Sequence, residues 1–583
     1  MATSRVLQAS DYFVVVAYFT LMLGIGVYFY RYMKGMKDYF SGGNRIPWWL
    51  SGVSFYMSSF SVFAFVAHAS LAYKYGWVAV SLLWTSVAGT FFSVVFLSRK
   101  WRRARINSPV EYLESRYSAL VRQLFAWEGV PVKMIDDALK LMAIGVFTSA
   151  ALGLNVKQSV LWSGVTILAY TMMGGLWAVA VTDFVQFVVL AVAILILVPL
   201  AISRAGGING LFDGYPEGFL SFVHPPQYDT LYVAGVVLMI ILAYSSLNWS
   251  LIQRYYCVPT EKDAVKMGWF VVLLFLIGQP LIMLPVICAP KFLIVPPEQT
   301  REVYALVCME LLPSGMIGLI IAAMFAATMS MLSSDYNICA GVLTNDIYHR
   351  YIRPNASQKE LLLVGRGMTL LVGATSLGAA FLMLSMGGED LFRGMIQLFS
   401  IFTAPVALPM ILGLLFKRIS NKGALAGFLT GMTLGLVLFF MLDDQQEFLR
   451  LVWKKETIVI FGTTIVTSVV IVVFSVLFPQ TVGERRRAEA LFDRLSVPIG
   501  QSDEDKSPGG ESGVASISPF RVVGISVLLI GVLLFAILPY ARGESAFGLS
   551  LVMALGLVLI GGLMTLRSGR ARKSENSAKA AQE

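Results

Sequence analysis

The chain has 583 residues, of which 57% are apolar or aromatic and 14% are Asp, Glu, Lys or Arg, and its mean hydropathy is +0.72. Soluble domains run at roughly 45–50% apolar and about 25% charged, so a water-soluble globule is excluded and lipid is the solvent; the chain reads as an all-α polytopic membrane protein. The net charge of +10 is a sign also met in nucleic-acid binders, but membrane topology accounts for it, and the expected partners are the lipid bilayer and a small-molecule solute, with no nucleic acid.

About fifteen helical spans are predicted, near 12–32, 48–72, 76–98, 122–153, 157–175, 179–203, 231–253, 266–289, 314–343, 359–386, 391–416, 423–442, 457–478, 521–540 and 546–566. The N-terminal residues lack the pattern of a cleaved leader, so the first span is expected to stay. Lys34, Lys37 and Arg45, then Arg99 to Arg105, then Arg254, Lys262 and Lys266, then Arg350 and Arg353, then Lys417, Arg418 and Lys422 all fall on one side of this alternation. Retention of basic residues makes that side cytoplasmic, so a multi-pass protein of the cell membrane is expected with its N-terminus outside and its C-terminus inside. Connections 204–230 and 387–390 are nearly free of basic residues, whereas 443–456, also placed outside, mixes both signs. The linker 479–520, with Arg485 to Arg487 and a run of Ser, Asp, Gly and Pro, reads as a mobile tether to two accessory spans.

Polar clusters interrupt three spans, and such breaks mark cavities because unsatisfied backbone is costly in lipid. Span two contains Ser51, Ser54, Ser58, Ser59 and Ser61, and span seven contains Tyr244-Ser245-Ser246-Leu247-Asn248. Interrupted helices five spans apart are the mark of an inverted-repeat transporter, although small residues can also serve helix packing alone. In span nine, Ala327, Ser330, Ser333 and Ser334 share one arc of the helix. This oxygen-lined face suits a hard cation such as sodium, with Asp183 as the candidate carboxylate. Asp183 can equally be read as an interfacial acid at the start of span six.

Span four carries Glu128, Lys133, Asp136, Asp137 and Lys140. Asp136 and Lys140 are i, i+4 partners, either a buried pair that gates, relays protons or holds a zwitterion, or a structural pair snorkelling toward the cytoplasm. The latter is favoured. His68 is read as a packing residue. Four cysteines without a CxxC pair, three histidines and the absence of a nucleophile motif or phosphate loop point to no catalytic residues, no transition-metal site and no enzyme.

Four segments carry a resemblance: Tyr39-Phe40-Ser41-Gly42-Gly43-Asn44-Arg45-Ile46-Pro47-Trp48-Trp49, Ser108 to Tyr117, Tyr170 to Val179, and Asn345-Asp346-Ile347-Tyr348. In order and spacing they resemble the solute:sodium symporter family over about residues 10 to 420. The resemblance implies a LeuT-type 5+5 inverted repeat: a leading span (1–35), a ten-helix core (36–420), accessory spans (421–478), the cytoplasmic linker (479–520), then two more spans and a basic tail (521–583), about four accessory spans in all. It also implies sodium as coupling ion and solute symport by alternating access.

The family's principal sodium site maps onto carbonyls of Met57, Phe60 and Ala327 and the hydroxyl of Ser330, but Met331 stands at the second hydroxyl position. The second site maps onto Asp183, Ser330, Ser333 and Ser334. For the pocket or gate the resemblance implies Ser58, Ser59, Phe63, Tyr244 and Gln397. The acid, amide and lysine of sugar-transporting members fall near Leu83, Ile241 and Phe275, so a smaller or more apolar solute is expected. Two alternatives stay open: proton coupling through Asp335 or the Asp136 and Lys140 pair, and a transporter-like sensor or passive channel.

Overall fold

The computed structural model describes residues 8–30, 42–59, 61–106, 109, 111–313, 315–385, 391–442, 454–499, 519–541 and 546–580. Phe60, Lys34, Lys37, the connection 387–390 and residues 500–518 of the linker lie outside the described residues. The described part is helical, with one isolated bridge between His224 and Tyr228.

In chain order the main helices are α1 (Ala9–Tyr30), α2 (Trp48–Met57), α3 (Ala69–Tyr75), α4 (Val78–Phe96), α5 (Ala119–Leu152), α6 (Val156–Arg204), α7 (Thr230–Leu242), α8 (Trp249–Tyr256), α9 (Glu261–Cys288), α10 (Met316–Val342), α11 (Gln358–Ser385), α12 (Leu391–Leu415), α13 (Asn421–Met441), α14 (Lys455–Leu477), α15 (Val482–Ser496), α16 (Pro519–Ile537) and α17 (Phe547–Ala580). Twelve helical stretches among the described residues are long and apolar enough to cross a bilayer, or thirteen with one bent pair. The expected count of fifteen is therefore not confirmed by length and apolarity. The difference falls at the interrupted second span, whose halves α2 and α3 have 10 and 7 residues, at the charged α5, and at the first part of α6, which meets α5 at 116°.

As a straight rod the 49 residues of α6 would measure about 74 Å, more than twice the roughly 30 Å of hydrocarbon in a bilayer. The Tyr170 and Thr182 hydroxyls are hydrogen-bonded to each other, although a straight helix would separate their Cα atoms by about 18 Å. The helix therefore turns back on itself between them.

α10 is the axis of the core. Nearly every side chain from Met316 to Val342 is buried, and α1, α5, α6 and α11 pack around it. α2 packs on α6 and α9, and the segment after its break is tied to α10 by the Val62 amide donating to Thr328 Oγ1 at 3.2 Å. The two interrupted spans meet each other, with Tyr244 Oη donating to Ser59 O at 3.2 Å and Asn44 Nδ2 to Tyr256 O at 2.7 Å.

The basic connections converge on one end, where arginines take the orphan carbonyls that helix ends leave. Arg116, 1% exposed, donates to Gly413, Phe416, Lys417 and Ile419 carbonyls at 2.9, 2.9, 3.1 and 3.0 Å and so caps α12. Arg102 donates to Val258 O at 2.6 Å and Pro259 O at 2.9 Å. Glu114 accepts from Arg350 and from Arg122, and Asp346 is paired with Arg122. Residues 482–496, expected as part of a tether, instead form α15, docked on this end. The reason is a short apolar stripe, Ala488, Leu491 and Leu495, which the surrounding charges conceal in composition. Arg103 and Arg105 donate to its last carbonyls, Leu495 O and Arg494 O, both at 3.2 Å.

Two tests follow from this end of the molecule. Arg116→Met leaves four carbonyls of the α12 terminus without their donor and is expected to cost about 3 kcal/mol, read as a lower melting temperature of the purified protein. The Arg350 guanidinium beside Glu114, helped by Arg122 and opposed by burial, holds the Glu114 carboxyl down to about 2. Its stabilisation is thus fully present above the unfolded value of about 4.3 and is lost as pH falls through about 2. The melting difference between the native protein and Glu114→Gln should be flat at neutral pH and close on acidification; a gap that widens there would contradict the pairing.

Candidate functional site

Two neighbouring sites occupy the middle of the core. The first is built on Asp183 of α6. The carboxylate is fully buried and accepts from Ser54 of α2. Arg254 of α8, also fully buried, reaches into the same place. Its Nε donates to Ser54 Oγ at 2.8 Å, its Nη2 to Ser334 Oγ of α10 at 2.8 Å and to Ser58 Oγ at 3.2 Å, and Nη2 lies 3.7 Å from Asp183 Oδ2. Ser58 and Ser334 are hydrogen-bonded at 2.9 Å.

Ser51, Ser54 and Ser58, spaced i, i+3, i+7, form one stripe of α2 that faces α8 and α10. Ser330 lies beside the Asp183 carboxyl and is bonded to it, and neither Ser330 Oγ nor Asp183 Oδ1 is bonded to any third group. Ser333 Oγ donates back to Ser330 O at 3.2 Å. Met57 and Ala327 are buried at the facing helices. This arrangement thus offers two adjacent oxygens bonded only to each other, one of them a carboxylate, with hydroxyls around them: the donor set a hard monovalent cation takes.

Arg254 had the reading of a cytoplasmic topology residue, and that is corrected here. It is a core residue because the break at Asn248 puts it in the second turn of the short α8, too deep to reach water. The nearest signal in the sequence is its placement directly after Gln253 within a segment of aromatic and aliphatic residues.

The second site is a cavity of about 120 Å³ between α4, α5, α7, α9, α10 and α12. Of the residues predicted for the pocket, Ser59, Phe63 and Tyr244 line it. Ser58 belongs instead to the Arg254 network. Gln397 does not line it, because its amide donates to Glu456 of α14 at 3.1 Å. Met331 faces the cavity and not Asp183. His68, Asn248 and Gln279, none of them predicted for the site, also line it.

Asp136 and Lys140 line the same cavity and join a larger cluster. Lys140 Nζ donates to Asp136 Oδ2 at 2.8 Å, to Asp137 Oδ1 at 3.0 Å and to Asp335 Oδ2 of α10 at 3.0 Å. Lys133 Nζ donates to Asp136 Oδ2 at 3.0 Å and to Asn248 Oδ1 at 3.1 Å, and lies 3.1 Å from Asp335 Oδ2. The favoured snorkelling reading is corrected: the Lys140 side chain is 4% exposed, held inward by three carboxylates. Local spacing announced the Asp136 and Lys140 pair, whereas Asp335, 195 residues further on, joins only through the packing of α10 on α5.

Residues 39–431 match the model of the sodium:solute symporter family. The chain is 28% identical to the sodium/glucose cotransporter 2 of Rattus norvegicus, over 73% of this chain and 71% of the relative. It is 27% identical to the sodium/glucose cotransporter of Vibrio parahaemolyticus, over 74% and 85%, and 27% identical to the sodium/sialic acid symporter NanT of Aliivibrio fischeri, over 72% and 85%. Among solved structures, a sodium-coupled sialic acid symporter in a substrate-bound outward-open state superposes with a TM-score of 0.69 at 22% identity, over 81% of this chain and 98% of that one. This last likeness concerns the fold.

Coupling between the two buried charges is measurable. Asp183→Asn and Arg254→Met are each expected to destabilise the protein by about 3–5 kcal/mol, since each leaves its partner buried and unpaired. The double variant should lose less than the sum in thermal melting, and additive losses would show that the two do not interact.

Proposed function

The chain belongs to the sodium:solute symporter family, and from that premise we propose that it moves a small organic solute by alternating access with sodium carried at Asp183. The observation that carries this reading is the pair of buried oxygens at Asp183 and Ser330, bonded to no third group and lying beside a guanidinium. A carboxylate in the low-dielectric core needs a cation, and Arg254 supplies one in this conformation at 3.7 Å. Sodium, held by Asp183, Ser330, Ser333 and Ser334, is the second cation suited to that carboxylate. Exchange between the two would tie ion binding to the position of α8 and hence to the break in span seven. Met57, Phe60 and Ala327 are proposed as carbonyl ligands of a further sodium site, with Met331 turned to the cavity.

The cavity is proposed as the solute site, with Tyr244 as its gate. Leu83 lines it at one of the positions expected of a sugar-binding acid, and Phe275 is buried against the Tyr56 and Tyr244 rings. This apolar lining supports a smaller or more apolar solute than a sugar. The convergence of basic connections supports a cytoplasmic location for that end of a multi-pass membrane protein, which places the N-terminus outside and the C-terminus inside. Residues 36–420 are proposed as the transporting core, with 1–35 leading it and 421–478 and 521–583 accessory to it.

The test is uptake of labelled solutes into proteoliposomes under imposed sodium, lithium, potassium or proton gradients. Accumulation is expected with sodium and absent in Asp183→Asn. Ser330→Ala, which removes one neutral ligand, should raise the sodium concentration for half-maximal uptake about tenfold, equivalent to about 1.4 kcal/mol. Accumulation driven by protons alone, with Asp183→Asn still active, would sink the sodium assignment.

A further inference from the structure

The charge cluster on α5 does not close by itself. It holds three carboxylates, Asp136, Asp137 and Asp335, against two ammonium groups, Lys133 and Lys140, and none of the five side chains is more than 10% exposed. One of its acceptors, Asp137 Oδ2, is buried without a hydrogen-bond partner, whereas Asp335 also takes a hydrogen bond from Ser250. A net negative charge in a region that excludes water is costly, so one further positive charge belongs with these groups. A metal ion does not fit among them, because Lys140 Nζ already lies 2.8, 3.0 and 3.0 Å from the three carboxylates.

A second, independent feature comes from α9. Gln279 is 2% exposed and lines the cavity, and its Oε1 has no hydrogen-bond partner. The cavity therefore presents acceptors from two helices, the Asp136 carboxylate on α5 and this amide oxygen on α9. The C-terminal end of α2, where the helix dipole favours a cation, runs into Ser59 on the same wall. The Phe63, Tyr244 and Phe399 rings complete a lining that suits an alkylammonium, through apolar contact and cation–π attraction.

We propose that the cavity recognises its solute by a protonated amine, which pairs with Asp136 and Gln279 and brings the cluster to three positive charges against three negative. This rests on the cavity being the solute site of the symporter. The amine donates to the Gln279 amide oxygen, which has no donor, and shares the Asp136 carboxylate with Lys133 and Lys140, and the apolar walls take a short hydrocarbon body.

Binding is tested on the full-length protein in nanodiscs without sodium, by thermal shift and direct titration with n-butylamine, n-butanol and n-butyrate, and with norleucine. The amine-bearing probes are expected to raise the melting temperature, and the alcohol and carboxylate of equal length are not. Asp137→Asn removes the surplus negative charge and should weaken amine binding at least about tenfold, whereas Asp137→Glu should retain it; melting of the unliganded variants reports whether each is folded. Equal binding of butanol or butyrate, or undiminished amine binding by folded Asp137→Asn, overturns the proposal. So does stabilisation by mild acidification alone, present in the native protein and lost in Asp137→Asn, since a proton then supplies the missing charge. Sodium-driven uptake separates the two readings: amines that bind but are never accumulated would refute the symporter site and leave the amine recognition, whereas sodium-driven uptake of amine-free solutes without amine competition would do the reverse.

Discussion

Water is absent from the hydrocarbon core of a bilayer, and every polar group placed there must be satisfied by the protein itself. The rest of this structure depends on that constraint. The fully buried Arg254 guanidinium is tolerable only because Ser54, Ser58, Ser334 and Asp183 surround it, and those four residues come from three different helices. The serines of the second span serve the same need: Ser54 and Ser58, one turn apart on α2, face the charge that needs them.

A satisfied charge in lipid is also a switchable one. Because Arg254 and Asp183 are separated by 3.7 Å and bridged through Ser54, the pair is close enough for strong attraction and loose enough for another cation to compete. The neighbouring α5 cluster works by the same physics with an odd number of charges. The Arg254 network and the cavity meet through the second break, where Asn248 accepts from Lys133 on one side and begins α8, which bears Arg254, on the other. Movement of one short helix would thus be felt at both.

The basic end of the molecule shows the opposite use of charge. There Arg116, Arg102, Arg103 and Arg105 donate chiefly to backbone carbonyls, finishing helices that would otherwise leave acceptors unpaired where the chain leaves the membrane. Residues 111–117, from a segment that carries part of the family resemblance, are held by this role: Tyr117 Oη donates to Pro409 O at 2.9 Å within α12.

Composition and hydropathy alone determined that the chain lives in lipid as a bundle of helices, because no other solvent accommodates such an apolar chain. The two polar interruptions five spans apart were legible as breaks, and the spacing of Ser330, Ser333 and Ser334 as a common face, since both are local properties of one helix. What a side chain meets across helices was not legible. Arg254 read as a topology charge and lies at the centre of the core; Asp335 read as a candidate proton carrier separate from the Asp136 and Lys140 pair and joins their cluster, 195 residues from Lys140; Gln397 read as a pocket residue and is bonded to Glu456. Residues 482–496 read as tether and dock as a helix. In each case the sequence specifies the chemistry of the group, and only the packing of distant helices decides which partner neutralises it.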